Sequence, residues 1–360
     1  MAFDLIKLLI DVFDPEAGEV VTVVCDTPTP TSPDNERWVE RRAMAREWRE
    51  AFVALGQARG FTVRPVLTYP ATGASGAELP TEGVVNGRVV PLEATLLEST
   101  LALFMTEFSA TAALDGVCEK KHDFRAASMP GVEKRMERTA LAADYHEVAR
   151  RCAVLEGLLR DADRLEVTFS TGHRCEFDLR YRRPEVDDGA LPRGRAGDRV
   201  INLPSGETFI VPYEGERPGE MSKTQGVIPL RVDRETFLLR IERNRIAKVE
   251  GDGAEARRLR SFFAADPARC NVAEVAFGCN DAAQVTGNVL EDEKAGFHWA
   301  YGRSDHLGGV TGVASFIARE TVVHHDIVYA AGNPIQVTEA VAVRGNERNR
   351  IMRNGAYVVF

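Results

Sequence analysis

The sequence predicts an α/β domain at the N-terminus, followed by a β-rich α+β domain. Across residues 1–150, β-branched runs alternate with long amphipathic segments, which is the pattern of an α/β layer. Across residues 151–360, short segments of alternating polarity are separated by turn residues, and helical periodicity is rare. A chain of 360 residues is also long enough to form two hydrophobic cores.

The elements of the first domain follow in order along the chain. The apolar residues of "MAFDLIKLLIDVF" suit one face of a helix, and the β-branched run 19–26 predicts a buried strand. Residues 35–55 predict a charged amphipathic helix that is capped within "SPDN". "FTVRPVLTYP" predicts a second strand, and residues 92–113 predict another helix. Residues 141–163 predict a long helix that connects the two domains.

The second domain is expected to consist mainly of short strands. "RLEVTFSTGHRCEFDLRYR" alternates like a hairpin, and the run from Val227 to Gly253 suggests a further series of strands. Residues 182–199 are charged and contain Gly and Pro, which predicts a mobile loop. "AEARRLRSFFAAD" predicts a helix, and the segment from Gly309 to Gly332 is again strand-like.

Composition excludes several classes of function. The formal net charge of -9 disfavours a surface for nucleic acid or for an anionic membrane. No apolar run approaches the ~20 residues that span a bilayer. The N-terminus lacks the features of a signal peptide, so we expect a cytoplasmic protein. The six cysteines form no C-x-x-C pair, which favours reduced, buried thiols.

Histidines are concentrated near the C-terminus, where "VVHHDIV" has the composition of a strand. Alternation along a strand places His324 and Asp326 on one side and His325 on the other. His324 and Asp326 can then hold a metal ion together, or they can form a hydrogen-bonded imidazole–carboxylate pair within the core. This motif alone leaves both interpretations open.

Three further segments carry acids in apolar or glycine-rich surroundings. Glu207 follows a tight turn and precedes a strand, where an ordinary edge carboxylate is also expected. Glu274 lies inside the apolar run "VAEVAFG", where a carboxylate needs a partner, a proton or a metal. "GNVLEDEKAGFHWAYG" contributes Glu293 and His298, and either a solvated hairpin tip or a metal site would explain its charge.

Four carboxylates and two imidazoles together suit two divalent ions of the zinc, cobalt or manganese type. Two such ions can hold a bridging hydroxide and polarise a carbonyl group. The set of candidate ligands is Glu207, Glu274, Glu293, His298, His324 and Asp326.

The ordered pieces "NLPSGETFIVP", "VAEVAFGCN", "GNVLEDEKAGFHWAYG" and "HHD" resemble the thermophilic aminopeptidase family of metallopeptidases. The resemblance covers most of residues 155–330. It implies a metal-binding C-terminal domain, a homodimer and a small-molecule or peptide substrate. It also implies hydrolysis of an amide or peptide bond next to a free amine by metal-activated water. The family's ligands match the six candidate residues in type and order.

One position departs from the family pattern. The aminopeptidases carry a catalytic tyrosine seven residues after the histidine, and Asp305 stands there in this chain, followed by His306. Tyr301 is near but at a different spacing. The catalytic candidates are therefore Glu274, as bridging ligand or base, together with Asp305, His306 and Tyr301.

The scaffold is also similar to that of the 2,5-dihydroxypyridine 5,6-dioxygenases. In that alternative, a single iron(II) ion held by His298, His324 and Asp326 would open a hydroxylated ring. The chain keeps both Glu207 and Glu274, so the dinuclear hydrolase pattern fits better. A non-catalytic relative is disfavoured, because surplus buried carboxylates are costly without a cation.

Overall fold

The computed structural model describes residues 3–195 and 197–360. The chain divides into two compact units. Unit 1 comprises Met1–Ala149, Asp187–Gly206 and Asn280–Gln284, and unit 2 comprises Arg150–Val186, Glu207–Cys279 and Val285–Phe360. Two segments that follow residue 151 thus belong to unit 1, because their backbones pack with its elements rather than with those of unit 2.

Both helices and strands are numerous, which confirms a mixed α/β fold with several sheets. The helices are α1 (Leu5–Phe13), α2 (Glu36–Arg59), α3 (Leu92–Leu97), α4 (Thr111–Lys120), α5 (Tyr145–Leu159), α6 (Ala254–Ala265) and α7 (Val289–Asp292). The strands are β1 (Val20–Thr27), β2 (Thr62–Val63), β3 (Leu67–Pro70), β4 (Glu82–Val85), β5 (Arg88–Pro91), β6 (Leu101–Phe104), β7 (Arg125–Ser128), β8 (Arg164–Phe169), β9 (Arg174–Asp178), β10 (Glu185–Asp187), β11 (Val200–Asn202), β12 (Glu207–Ile210), β13 (Gln225–Val232), β14 (Glu235–Glu242), β15 (Arg245–Glu250), β16 (Val272–Gly278), β17 (Phe297–Gly302), β18 (His324–Tyr329), β19 (Val337–Arg344), β20 (Glu347–Arg353) and β21 (Ala356–Tyr357).

Unit 1 contains a sheet in the order β11-β7-β6-β1-β3-β4-β5, with β2 also pairing with β1. Strands β1, β3, β6, β7 and β11 pair in parallel, as expected for an α/β layer. Helix α2 begins at a cap in which the Asn35 side chain accepts from the Trp38 amide, and Gly60 caps its C-terminal end.

Two predictions of secondary structure from the sequence are wrong. The single helix expected over 92–113 is interrupted by strand β6, because "LALF" pairs with β1 in the middle of the sheet. The strand-like segment 309–332 becomes a strand only at His324, and the part before it forms short 3-10 turns. In the first case, strand pairing overrides the local helical character.

Unit 2 contains most of two sheets. The larger sheet is antiparallel and has the order β15-β14-β13-β9-β8-β19-β20-β21. The smaller sheet has the order β10-β12-β16-β17-β18. Its central strand β16 is buried along its whole length. The segment 182–199 contains β10, and several of its side chains are buried. None of the helices among the described residues is long and apolar enough to cross a membrane.

The register of the smaller sheet determines which side chains share a face. Glu207 pairs with Gly278, and Ala300 pairs with both Glu274 and Asp326. His298 pairs with Ala276, and His324 with Gly302. One face, here called the carboxylate face, therefore carries Glu207, Glu274, His298, His324 and Asp326. The opposite face, here called the aromatic face, carries Phe277, Phe297, Trp299, Tyr301 and His325.

Candidate metal centre

The carboxylate face brings five of the six predicted ligands into two groups of three. Glu207, Glu274 and His298 form the first group, and Glu274, His324 and Asp326 form the second. Within each group, one donor atom per residue lies within 4.8 Å of the others. Nitrogen and carboxylate oxygen donors in this number are those that zinc, cobalt and manganese accept.

Glu274 belongs to both groups and directs one oxygen towards each. Its Oε1 lies 3.8 Å from His298 Nε2, and its Oε2 lies 3.1 Å from His324 Nε2. Asp326 Oδ1 lies 3.4 Å from the same His324 nitrogen. A carboxylate that spans two ligand groups is suited to bridge two ions ~3.5–4 Å apart.

Backbone carbonyl groups orient both imidazoles. His298 Nδ1 lies 3.2 Å from the Gly296 carbonyl oxygen, and His324 Nδ1 lies 2.8 Å from that of Arg303. With Nδ1–H donating to a carbonyl, each Nε2 faces the carboxylates, where it can donate a proton to them or, once deprotonated, bind a metal ion. This arrangement is characteristic of metal-binding histidines, whose second nitrogen is held by a hydrogen bond.

The electrostatics of the centre favour a cation. Burial by itself would lower the pKa of His298, but contact with Glu207 and the charges of Glu274 and Asp326 raise it to about 9. The pKa of His324 also rises, because Asp326 and Glu274 outweigh its burial. Burial raises the pKa of Glu274. Protons thus compensate the excess of buried carboxylate, and divalent ions fit the same donor set.

Glu293, the sixth predicted ligand, lies beside these groups but belongs to neither. Its Oε1 lies 2.7 Å from Nζ of Lys294, which also lies 2.5 Å from Oε1 of Glu207. Burial raises the pKa of Glu293. Lys294 was not predicted from the sequence as a residue of the site, although it stands in the motif "DEK" next to Glu293.

The residues proposed to replace the family's tyrosine occupy different places. The His306 ring lies 5.1 Å from the His324 ring at 82°, and burial lowers the pKa of His306 to about 4. Asp305 accepts from Arg303 Nε at 2.5 Å and lies 3.7 Å from His306 Nδ1. His306 therefore lies against a predicted ligand, with Asp305 behind it.

Tyr301 lies on the aromatic face, away from the predicted ligands. Its ring packs 5.1 Å from Phe263 and 5.2 Å from His325. The sequence suggested Tyr301 as a catalytic candidate, and its placement on the aromatic face argues against that role. The sequence already indicated this placement, because residues three apart on a strand, such as His298 and Tyr301, face opposite sides.

Glu214 was not predicted, yet it anchors the segment that carries Asp305 and His306. Its side chain is almost fully buried and contacts Arg182 at 3.2 Å. It also accepts hydrogen bonds from Asn271 Nδ2, Ser304 Oγ, Val310 N and Thr311 Oγ1, at 2.6–2.8 Å. Charge-assisted bonds of this kind hold a loop in one geometry.

Two solved structures share the fold of this chain. The 2,5-dihydroxypyridine dioxygenase from Pseudomonas putida KT2440 has a TM-score of 0.64 and 18% identity, covering 100% of this chain and 98% of that one. AmpT from Thermus thermophilus has a TM-score of 0.54 and 16% identity, covering 99% of both chains. No curated protein sequence matches the chain.

The family model described as thermophilic metalloprotease (M29) matches residues 138–357, which is more than half of the chain. The matched region includes every residue of both ligand groups. The resemblance drawn from the sequence and the expectation of a metal-dependent peptidase are thereby confirmed. The chain belongs to the thermophilic metalloprotease (M29) family.

Proposed function

We propose that the protein is an aminopeptidase that uses two divalent ions to remove a residue from the free amine end of a peptide. The observation that carries this proposal is the sharing of Glu274 between two three-residue ligand groups. Membership of a metalloprotease family supports it. Zinc, cobalt and manganese are the candidate ions.

Bound ions would supply an activated water and polarise the scissile carbonyl group. The chain's own residues do the rest. His298 and His324 present Nε2 because backbone carbonyls hold Nδ1. Glu274 spans both subsites, as a bridging ligand or as a base. Ala276 and Ala300 lie between the charged residues on the same face, so their small side chains leave room there.

His306 is our candidate for moving a proton to the leaving amine. Its imidazole is neutral near pH 7, because burial lowers its pKa to about 4. It packs against His324, and Asp305 contacts its Nδ1. A neutral imidazole can accept a proton from one group and pass it to another. Asp305 would orient the ring rather than contact the substrate.

A panel of free and N-acetylated aminoacyl anilides and dipeptides tests the proposal with protein loaded with zinc, cobalt or manganese. We expect hydrolysis of the free amines only, and we expect two metal ions per chain by elemental analysis. Glu274→Gln should abolish the hydrolysis and the binding of two metal ions. The matched control is Glu339→Gln, a partly exposed strand carboxylate paired with Arg350. Inactivity with all three metals would count against the proposal.

A mononuclear iron(II) ring-opening dioxygenase is the second candidate. His298, His324 and Asp326 share the carboxylate face, and two histidines with one carboxylate can hold iron(II). The position of Glu274 between the two imidazoles makes this candidate weaker. Oxygen uptake by iron-loaded protein with dihydroxypyridines, together with one metal per chain, would favour it.

The family resemblance also implies a homodimer, and the sequence predicts a cytoplasmic location. Both stay predictions. Gel filtration combined with light scattering measures the first directly, and fractionation of the native host measures the second.

A further inference from the structure

We propose that Lys294 is a positioning residue that holds one oxygen of Glu207 and one oxygen of Glu293. Glu207 then offers only Oε2 to the centre, because Oε1 is held by the lysine. This inference rests on the metal centre of the proposed function. It concerns how the ligands are held and does not depend on the substrate.

The contacts of Lys294 carry the first step. Its side chain is 0% exposed, and Nζ lies 2.5 Å from Glu207 Oε1 and 2.7 Å from Glu293 Oε1. Lysine is almost never fully buried unless it is paired. A hydrogen bond from a charged donor is about twice as strong as a neutral one, so the ammonium group fixes both carboxyl groups.

The geometry of Glu207 carries the second step. Its Oε1 is turned to Lys294, and its Oε2 lies 3.2 Å from His298 Nε2. The two oxygens therefore have different partners, and only Oε2 is directed at the imidazole of the first ligand group. Without the lysine, the carboxylate would be free to rotate and present both oxygens to one ion.

Gly278 carries the third step, because it lets the backbone deliver Lys294 to this place. Residues 293–295 form a single 3-10 turn that lies directly against Gly278. A Cβ at Gly278 would lie 2.1 Å from the Glu293 carbonyl oxygen and 2.5 Å from the Lys294 carbonyl carbon. Gly278 is also the strand partner of Glu207. The lysine and its carboxylate are thus placed by the same residue.

The charge balance is consistent with this role. The four carboxylates Glu207, Glu274, Glu293 and Asp326 together with one ammonium carry three negative charges. Two divalent ions and one hydroxide would bring that centre to neutrality. A buried centre close to neutral avoids the desolvation cost of uncompensated charge.

Cobalt absorption and thermal melting test the proposal on the full chain. We compare the unmodified protein with Lys294→Met and with Lys248→Met, a control lysine whose side chain is 65% exposed. In Lys294→Met, the freed oxygens should raise the coordination number of bound Co(II), which weakens its visible absorption band. The metal-free variant should melt roughly 5 °C or more below the unmodified protein, and Co(II) should restore more of its stability. Lys248→Met should change neither measurement.

An unchanged cobalt spectrum in a Lys294→Met protein that still binds the metal would overturn the proposal. If this variant does not fold, the double variant Glu293→Gln/Lys294→Met removes the surplus carboxylate charge with the lysine. The proposal then predicts recovery of folding, and a failure to recover would overturn it. Unmodified protein that binds Co(II) but cleaves no peptide would refute the proposed function and leave the role of Lys294 standing.

Discussion

The two faces of the smaller sheet in unit 2 come from the same strands but differ completely in chemistry. The carboxylate face combines acids and imidazoles with Ala276 and Ala300, whose small side chains leave room between the charges. The aromatic face is filled by large rings, with Phe277 and Phe297 5.5 Å apart. Alternation along a strand lets a buried sheet carry a site on one side and a hydrophobic core on the other.

His324 and His325 show the difference within one dipeptide. Asp326 and Glu274 raise the pKa of His324 despite its burial. His325, beside Tyr301, has its pKa lowered by burial. Two identical side chains therefore differ in protonation because neighbouring Cβ atoms point in opposite directions. Each prediction below tests one part of this contrast, and the largest expected effect comes first.

Alanine substitution of the two histidines tests the contrast directly. His324→Ala removes a predicted ligand nitrogen, so metal affinity should fall by more than about 100-fold, the upper range for loss of an outer-shell partner. His325→Ala should leave metal affinity unchanged and lower the free energy of unfolding by about 1 kcal/mol through the lost ring contact. Titration with Co(II) and urea unfolding measure these effects. Equal losses of metal affinity in the two variants would contradict the assignment of the two histidines to faces of different function.

The stability of the metal-free protein should depend on pH through the carboxylate face. The pKa of His298 is about 9 in the folded protein, whereas its ordinary value is 6.5. Its protonation therefore stabilises the fold fully below pH 6.5, and this contribution is lost as pH rises through 9. The loss should be on the order of 3 kcal/mol. Metal-loaded protein should not show this loss, because a metal ion bound at Nε2 would replace the proton. Urea unfolding of both forms below pH 6.5 and above pH 9 provides the measurement.

Gly278→Ala tests how closely the backbone must pack behind the carboxylate face. The new Cβ would lie 2.1 Å from the Glu293 carbonyl oxygen, so the 3-10 turn must move. We expect a loss of about 1–3 kcal/mol in the free energy of unfolding, together with weaker metal binding. Gly157→Ala in α5 is the matched control, since its Cβ would meet nothing within 4 Å. Equal stability of the two variants would contradict the close packing.

Tyr301→Phe should have the smallest effect. The phenol lies on the aromatic face, so kcat and KM with a peptide substrate should stay at the values of the unmodified protein. His306→Ala, measured alongside, should lower kcat because it removes the imidazole that packs on His324. A large loss of kcat in Tyr301→Phe with an unchanged metal content would instead support a catalytic role for Tyr301.

Several parts of the centre were accessible from the sequence. The strand pattern of "VVHHDIV" placed His324 and Asp326 together, and the apolar run around Glu274 marked a carboxylate in need of a partner. The helix predicted over residues 35–55 corresponds to α2, with its cap at Asn35, and the helix predicted over residues 141–163 contains α5. The strand β6 was not predicted, because a short apolar run such as "LALF" is equally compatible with a helix and with a buried strand. The anchoring of the loop by Glu214 was also missed, since its donors come from distant segments.

By itself, the sequence determined the donor types, their order along the chain and the alternation that separates His324 from His325. Those properties are local, because strand periodicity acts over two residues. Only the tertiary structure decided that Glu274 spans two groups, that Lys294 binds Glu207, and that His306 lies against His324. These contacts depend on the register between strands and on the close approach at Gly278, which residues far apart in the sequence determine together.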